Sequence, residues 1–80
     1  MRILKFYGET CGPCQVLEGN LNSLNIEHES INIEDEQAEE LIIKYGIRGI
    51  PTLVILDDDG NVLKKHTGLL NINDLKTFIQ

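Results

Sequence analysis

Both cysteines of this chain lie in one tetrapeptide, Cys11-Gly12-Pro13-Cys14. Two thiols three positions apart at a helix start lie on one face, close enough for a disulfide after modest local adjustment. The pair therefore reads as a dithiol that cycles to a disulfide. The first helical turn presents unpaired backbone N–H groups and the positive end of the helix dipole, and both favour a thiolate over a thiol. Cys11, best placed for that benefit, is assigned as the nucleophile, and Cys14, one turn further in, as the resolving thiol. A free thiol has a pKa near ~8.5, and a helix N-terminus commonly lowers it toward neutrality, so attack on a disulfide is feasible at physiological pH. A structural staple is the weaker reading, because a loop closed over two intervening residues removes little chain entropy. A secreted disulfide scaffold would also carry more cysteines, spread through the sequence.

The elements that must position this pair follow a β-α-β-α-β-β-α order with no linker or repeat. A first strand runs from Ile3 to Tyr7. Leu17, Leu21 and Leu24 then recur at helical spacing, with Gly19 among them costing about 1 kcal/mol relative to alanine, so the first helix is expected to be short. Glu27 to Ile33 reads as a second strand with Ile31 and Ile33 on one face. Asp35 is the expected cap of a helix carrying Ala38, Leu41, Ile42 and Tyr45 at i, i+3, i+4, i+7 and ending at Gly46. Thr52 to Leu56 is a continuous apolar, β-branched run of the kind buried on both faces, and Val62 to Thr67 is its hairpin partner across Asp57 to Asn61. Leu70 and Leu75 flank an Asn71 cap as a hydrophobic staple for a last helix with Leu75, Phe78 and Ile79 facing inward. The fold class is α/β, a mixed four-stranded sheet with helices on its faces, and residues 1–80 form a single domain.

Charge narrows the function. Thirteen acidic against seven basic residues give a net charge of −6, and the bases are dispersed, so the concentrated basic surface that nucleic acid requires is missing. The acids gather in Glu34-Asp35-Glu36 with Glu39-Glu40, suited to a helix N-terminus, and in Asp57-Asp58-Asp59, a solvated turn. No apolar signal segment leads the chain and no run approaches bilayer length, so a soluble cytoplasmic protein is expected, with no membrane role. Cys11, Cys14, His28 and His66 lack the spacing of common zinc sites, and no metal is assigned. The two histidines read as solvent-facing strand residues. The Asp57–Asn61 stretch lacks both the spacing and the later glutamate of a calcium loop.

The strand-Cys-Gly-Pro-Cys-helix unit, the segment Tyr45-Gly46-Ile47-Arg48-Gly49-Ile50-Pro51-Thr52-Leu53, and Gly68 before an amphipathic helix together resemble the thioredoxin family across about residues 3 to 78. The resemblance implies a thioredoxin-like fold with a cis Ile50-Pro51 bond beside the disulfide. Ile50 would offer its main chain to an extended substrate segment, while Gly12, Pro13, Gly68 and Leu69 form an apolar docking rim. It further implies reduction of disulfide-containing protein substrates by a monomer with no organic cofactor, recharged by a thioredoxin-reductase type of electron donor.

Departures from the pattern matter. The family's additional N-terminal strand and helix are missing, and the proportions are closer to glutaredoxins. Thr10 replaces the tryptophan before the first cysteine and is the candidate helix N-cap. Lys5 stands where the family has a buried carboxylate, and Ser30 where it has the partner lysine, so the usual proton relay does not carry over. Lys5 is instead a candidate electrostatic modulator. Burial beneath the disulfide works against its charge, a nearby thiolate favours it, and its flexible stem offers a third outcome, the ammonium in water at the sheet edge. Two other functions compete. A glutaredoxin would use glutathione, but Cys-Pro-Tyr-Cys and the paired glycine after the last strand are absent, and only Arg48 supplies a cation near the proline loop. A protein-binding module with incidental redox activity would tolerate loss of both cysteines.

Overall fold

The computed structural model describes residues Met1–Gln80. Strand β1 (Arg2–Tyr7) leads into helix α1 (Gly12–Ser23), strand β2 (Glu29–Asn32), a single 3₁₀ turn (Glu36–Ala38), helix α2 (Glu39–Tyr45), the β3–β4 hairpin (Thr52–Leu56, Val62–Thr67) and helix α3 (Ile72–Phe78). The sheet order is β2-β1-β3-β4. β1 and β2 run parallel, Lys5 opposite Ser30, and the other two pairs are antiparallel, with Leu53 flanked by Lys5 and His66. The parallel pair requires a crossover, which α1 supplies.

Alternation along the strands divides the core in two. Ile3, Leu53 and Ile55 point to one face, where Leu17 and Leu21 of α1 and Leu70 and Leu75 at α3 cover them. Leu4, Phe6, Val54 and Leu56 point to the other, against Tyr45, Leu41 and Ile42 of α2 with Ile31 and Ile33. β3 is buried throughout because it lies inside the sheet between two helical layers. Asn71 caps α3 through its side chain, which accepts from the Asp74 amide at 2.8 Å, with Leu70 and Leu75 closing the staple around it. Gly46 ends α2 at φ +63, a left-handed conformation that side-chain-bearing residues adopt at a cost.

Local expectations are revised in three places. α1 is not short: it runs twelve residues through Gly19, because fully buried Leu17 and Leu21 anchor it on either side. Asp35 makes no side-chain cap. Its carbonyl accepts from the Ala38 amide in the 3₁₀ turn, and α2 begins only at Glu39. β2 is shorter than Glu27 to Ile33, although the Ile33 amide still reaches the Tyr7 carbonyl at 3.0 Å. No helix is long and apolar enough to cross a membrane.

Candidate active site

Cys11 itself, not Thr10, is the N-cap of α1. It has extended backbone, and its Sγ accepts a hydrogen bond from the Cys14 amide at 3.1 Å, so an unpaired N–H of the first turn is aimed at this sulfur. Pro13 occupies the first turn, where its missing N–H costs nothing. Cys11 and Cys14 are disulfide-bonded with Cα atoms 5.2 Å apart. Their exposure differs: Cys11 is half-buried with Gly12 and Pro13 open to solvent beside it, whereas Cys14 is 2% exposed.

The proline loop closes on the same end of the sheet. Ile50-Pro51 is cis. The Pro51 carbonyl accepts from the Gly68 amide at 2.8 Å, and the Thr52 hydroxyl donates to the Gly49 carbonyl at 2.6 Å and meets the Thr67 hydroxyl at 3.0 Å. These bonds lock residues 49–52 to the end of β4. Ile50 is left over: neither its N–H nor its carbonyl bonds to any group of the chain. Its side chain lies over Gly8, where a Cβ would meet Ile50 Cδ1 at 2.8 Å and come to 4.0 Å from the Cys11 Cβ. A side chain at position 8 would have to push the end of the Ile50 side chain aside. Gly68, at φ +113, turns the chain beside Pro51, and Leu69 after it is 46% exposed. Ile50 thus lies on the side of Gly8 that faces Cys11, while Pro51 is buried and is tied to Gly68, with Leu69 exposed just after it.

On the inner side, the structure answers the question posed by Lys5. Its side chain is 5% exposed and does not reach water at the sheet edge. It is paired with Glu18 of α1, with the Tyr7 ring 5.0 Å from the ammonium. Glu18 Oε1 is shared, since His28 Nε2 lies 2.8 Å from the same oxygen. The His28 side chain is 6% exposed, so it is not the solvent-facing strand residue expected, and it precedes β2. His66 is half-buried against the Phe78 ring at 5.9 Å. Burial pushes the Glu18 carboxyl up, but hydrogen bonds from Lys5 and His28 outweigh it and hold the group below the usual carboxylate range. Lys5, Glu18 and Cys14 line one cleft of about 480 Å³ with Tyr7, Gly8, Glu9, Gln15 and Ser30.

Glu18 and His28 are the residues that sequence reasoning missed. Glu18 had a signal, lying four residues after Cys14 and so on the same helical face. His28 had none, because only the packing of the α1–β2 connection against α1 brings it to Glu18. No group of three or more histidines, cysteines and carboxylates is placed to hold a metal ion.

Comparison with known proteins agrees with this geometry. The thioredoxin family model matches residues 1–80. The chain is 31% identical to thioredoxin of Mycoplasmoides gallisepticum over 98% of its own length and 80% of that protein's, and 35% identical to thioredoxin of Chlamydia caviae over 96% and 78%. Among solved structures, a thioredoxin variant from Halobacterium salinarum superposes with a TM-score of 0.81 at 36% identity, over 96% of this chain and 69% of that one. With the paired cysteines at a helix start beside a proline loop, these matches show that the chain belongs to the thioredoxin family and is a thiol–disulfide oxidoreductase.

Proposed function

We propose that the chain works in the reducing direction on protein disulfides, with Cys11 attacking and Cys14 resolving. The observation that carries this reading is the asymmetry of the pair: the accessible sulfur is the one that receives a helix N–H, and the other is buried. The Cys11 thiolate attacks one sulfur of the target disulfide. That bond breaks, and the departing target thiolate takes up a proton. Cys14, having released its own proton, attacks Cys11 Sγ, and the second target thiolate leaves and is protonated in turn. The target gains two electrons and two protons, which the Cys11–Cys14 pair has lost on becoming a disulfide. A two-electron dithiol donor of thioredoxin-reductase type restores the pair.

Substrate docking falls to Ile50, whose free N–H and carbonyl suit a β-type pairing with an extended segment, flanked by Gly12, Pro13, Gly68 and Leu69. The chain acts as a monomer in the cytoplasm, where reduced thiols are maintained. The test is turnover of a model protein disulfide with separate thioredoxin-reductase and glutathione regenerating systems. Sustained turnover with the first alone is expected. Turnover sustained only by glutathione would replace this reading with a glutaredoxin-like one, and no turnover with either would remove it.

A further inference from the structure

His28 is a buried titratable ring that the reaction described above does not use. Its Nδ1 lies 2.9 Å from the Ile26 carbonyl and its Nε2 lies 2.8 Å from Glu18 Oε1. A carbonyl only accepts, so Nδ1 carries a proton. The second contact also needs a proton between its atoms, and Glu18 Oε1 already accepts one from Lys5. The ring therefore bears both protons, and Glu18 remains a carboxylate. Two cations, Lys5 and His28, then face one anion, which leaves a single positive charge next to the cleft that Cys14 lines. Burial of both cationic side chains limits screening by water.

We propose that His28 is a positioning residue that, together with Lys5, holds a surplus positive charge behind Cys14 and makes the resolving step sensitive to pH through the ring's second proton. This rests on the assignment of Cys14 as the resolving thiol. With the ring doubly protonated, the Cys14 thiolate that must form before attack lies near net positive charge. When the ring loses that proton, Lys5 and Glu18 cancel and the help disappears. The other groups that face the cluster do not supply a second switch. Tyr7 on β1 lies over Lys5, Ser30 on β2 is uncharged, Glu9 lines the cleft but is exposed and accepts from Asn32 at 3.3 Å, Glu27 next to His28 in sequence is exposed, and Glu29 is engaged by Arg2 at 2.8 Å.

The test uses the reduced full chain and the chromogenic disulfide dithiobis(nitrobenzoate), followed by stopped flow between about pH 6 and 8. Attack by Cys11 breaks the reagent's disulfide and releases one thionitrobenzoate. Attack by Cys14 on Cys11 releases the second, with loss of the Cys14 proton. In His28→Gln, which retains a donor toward Glu18 but loses the charge, the second release slows about three- to tenfold near pH 6.5 and its profile moves to higher pH. The first release stays within about twofold, because Cys11 lies outside the cleft. Lys5→Met moves the second profile the same way, and Glu18→Gln moves it to lower pH. A second profile unmoved in His28→Gln, or moved in the same direction in Glu18→Gln, overturns the proposal. Should a variant fail to fold, NMR of the unsubstituted protein decides: protons on both His28 nitrogens are expected at the pH where the second release is fast, and a neutral single tautomer there overturns the proposal. Absence of the second release in the unsubstituted chain would instead overturn the assignment of the two sulfurs.

Discussion

The surroundings of Cys11 and of Cys14 are built from different kinds of information. Around Cys11 the chemistry is largely local: the cap, the N–H aimed at its sulfur and the proline of the first turn all come from four consecutive residues. Behind Cys14 it is mostly long-range: Glu18 lies one turn further along the same helix, but Lys5 comes from a strand and His28 from a connection, and the cluster forms only when all three meet. A contiguous motif is enough to create a reactive sulfur. How that sulfur's partner is tuned depends on which charges the topology happens to stack beneath it, and so members of one family can share the first region and differ in the second.

The sharpest way to break the comparison is to remove each sulfur. Cys11→Ser is expected to abolish mixed-disulfide formation, whereas Cys14→Ser leaves Cys11 competent and traps targets on it, because the resolving attack is lost. Mass spectrometry of trapped adducts reads this directly, and targets bound equally to Cys14 in Cys11→Ser would erase the division between the two regions.

A smaller effect is expected at the rim. Pro51→Ala frees the backbone next to Ile50 and adds an N–H there, which loosens the strand-docking edge without touching either sulfur. Turnover of protein disulfides should fall several-fold while oxidation by small disulfides stays nearly the same. Equal losses with both substrates would mean that the loop supports the cysteines and not the substrate.

The region behind Cys14 is probed by Lys5→Met, which keeps the apolar stem and removes the ammonium. In a Cys11→Ser background, where Cys14 is the thiol read, the pH profile of alkylation is expected to move upward by a fraction of a unit to about one unit. An unmoved profile with intact folding would make Lys5 a structural partner of Glu18 only.

Two stability measurements complete the series. Gly19 sits exposed in the middle of α1, and a Cβ there would meet nothing within 4 Å, so Gly19→Ala should stabilise the chain by up to about 1 kcal/mol in chemical denaturation. Loss of stability would reveal a constraint on α1 that its packing does not show. The Glu18 carboxyl is held below its ordinary value of 4.5, so it binds a proton less readily folded than unfolded. Its contribution is complete above that value and is lost as the pH falls through the lower folded value. The stability difference between the chain and Glu18→Gln should therefore shrink as the pH falls through the acid range in which Glu18 takes up its proton. A difference that grows in acid would contradict the pairing.

Much of the scaffold was legible because its signals repeat. β3 reads as a run of apolar residues, α3 as a staple around Asn71, and the end of α2 as a glycine that must turn left-handed; each needs only nearest neighbours and the period of its element. The misreadings have two causes. Gly19 suggested a short helix and His28 an exposed strand, and these were overruled by burial of Leu17 and Leu21 and by a partner distant in sequence; Thr10 and Asp35 were read as side-chain caps, and these gave way locally, to the adjacent Cys11 sulfur and to the Asp35 carbonyl.

From its sequence alone, this protein is marked as a dithiol at a helix start on an α/β scaffold, because thiol spacing, strand alternation and helix periodicity are properties of adjacent residues. The fate of Lys5 was decided only by the tertiary structure. Three outcomes were open to it as a strand residue, and the one realised depends on Glu18 and His28 arriving at the same oxygen. Energies of buried charges are set by what surrounds them within a few ångströms, and in a folded chain those surroundings come from residues that the sequence keeps apart.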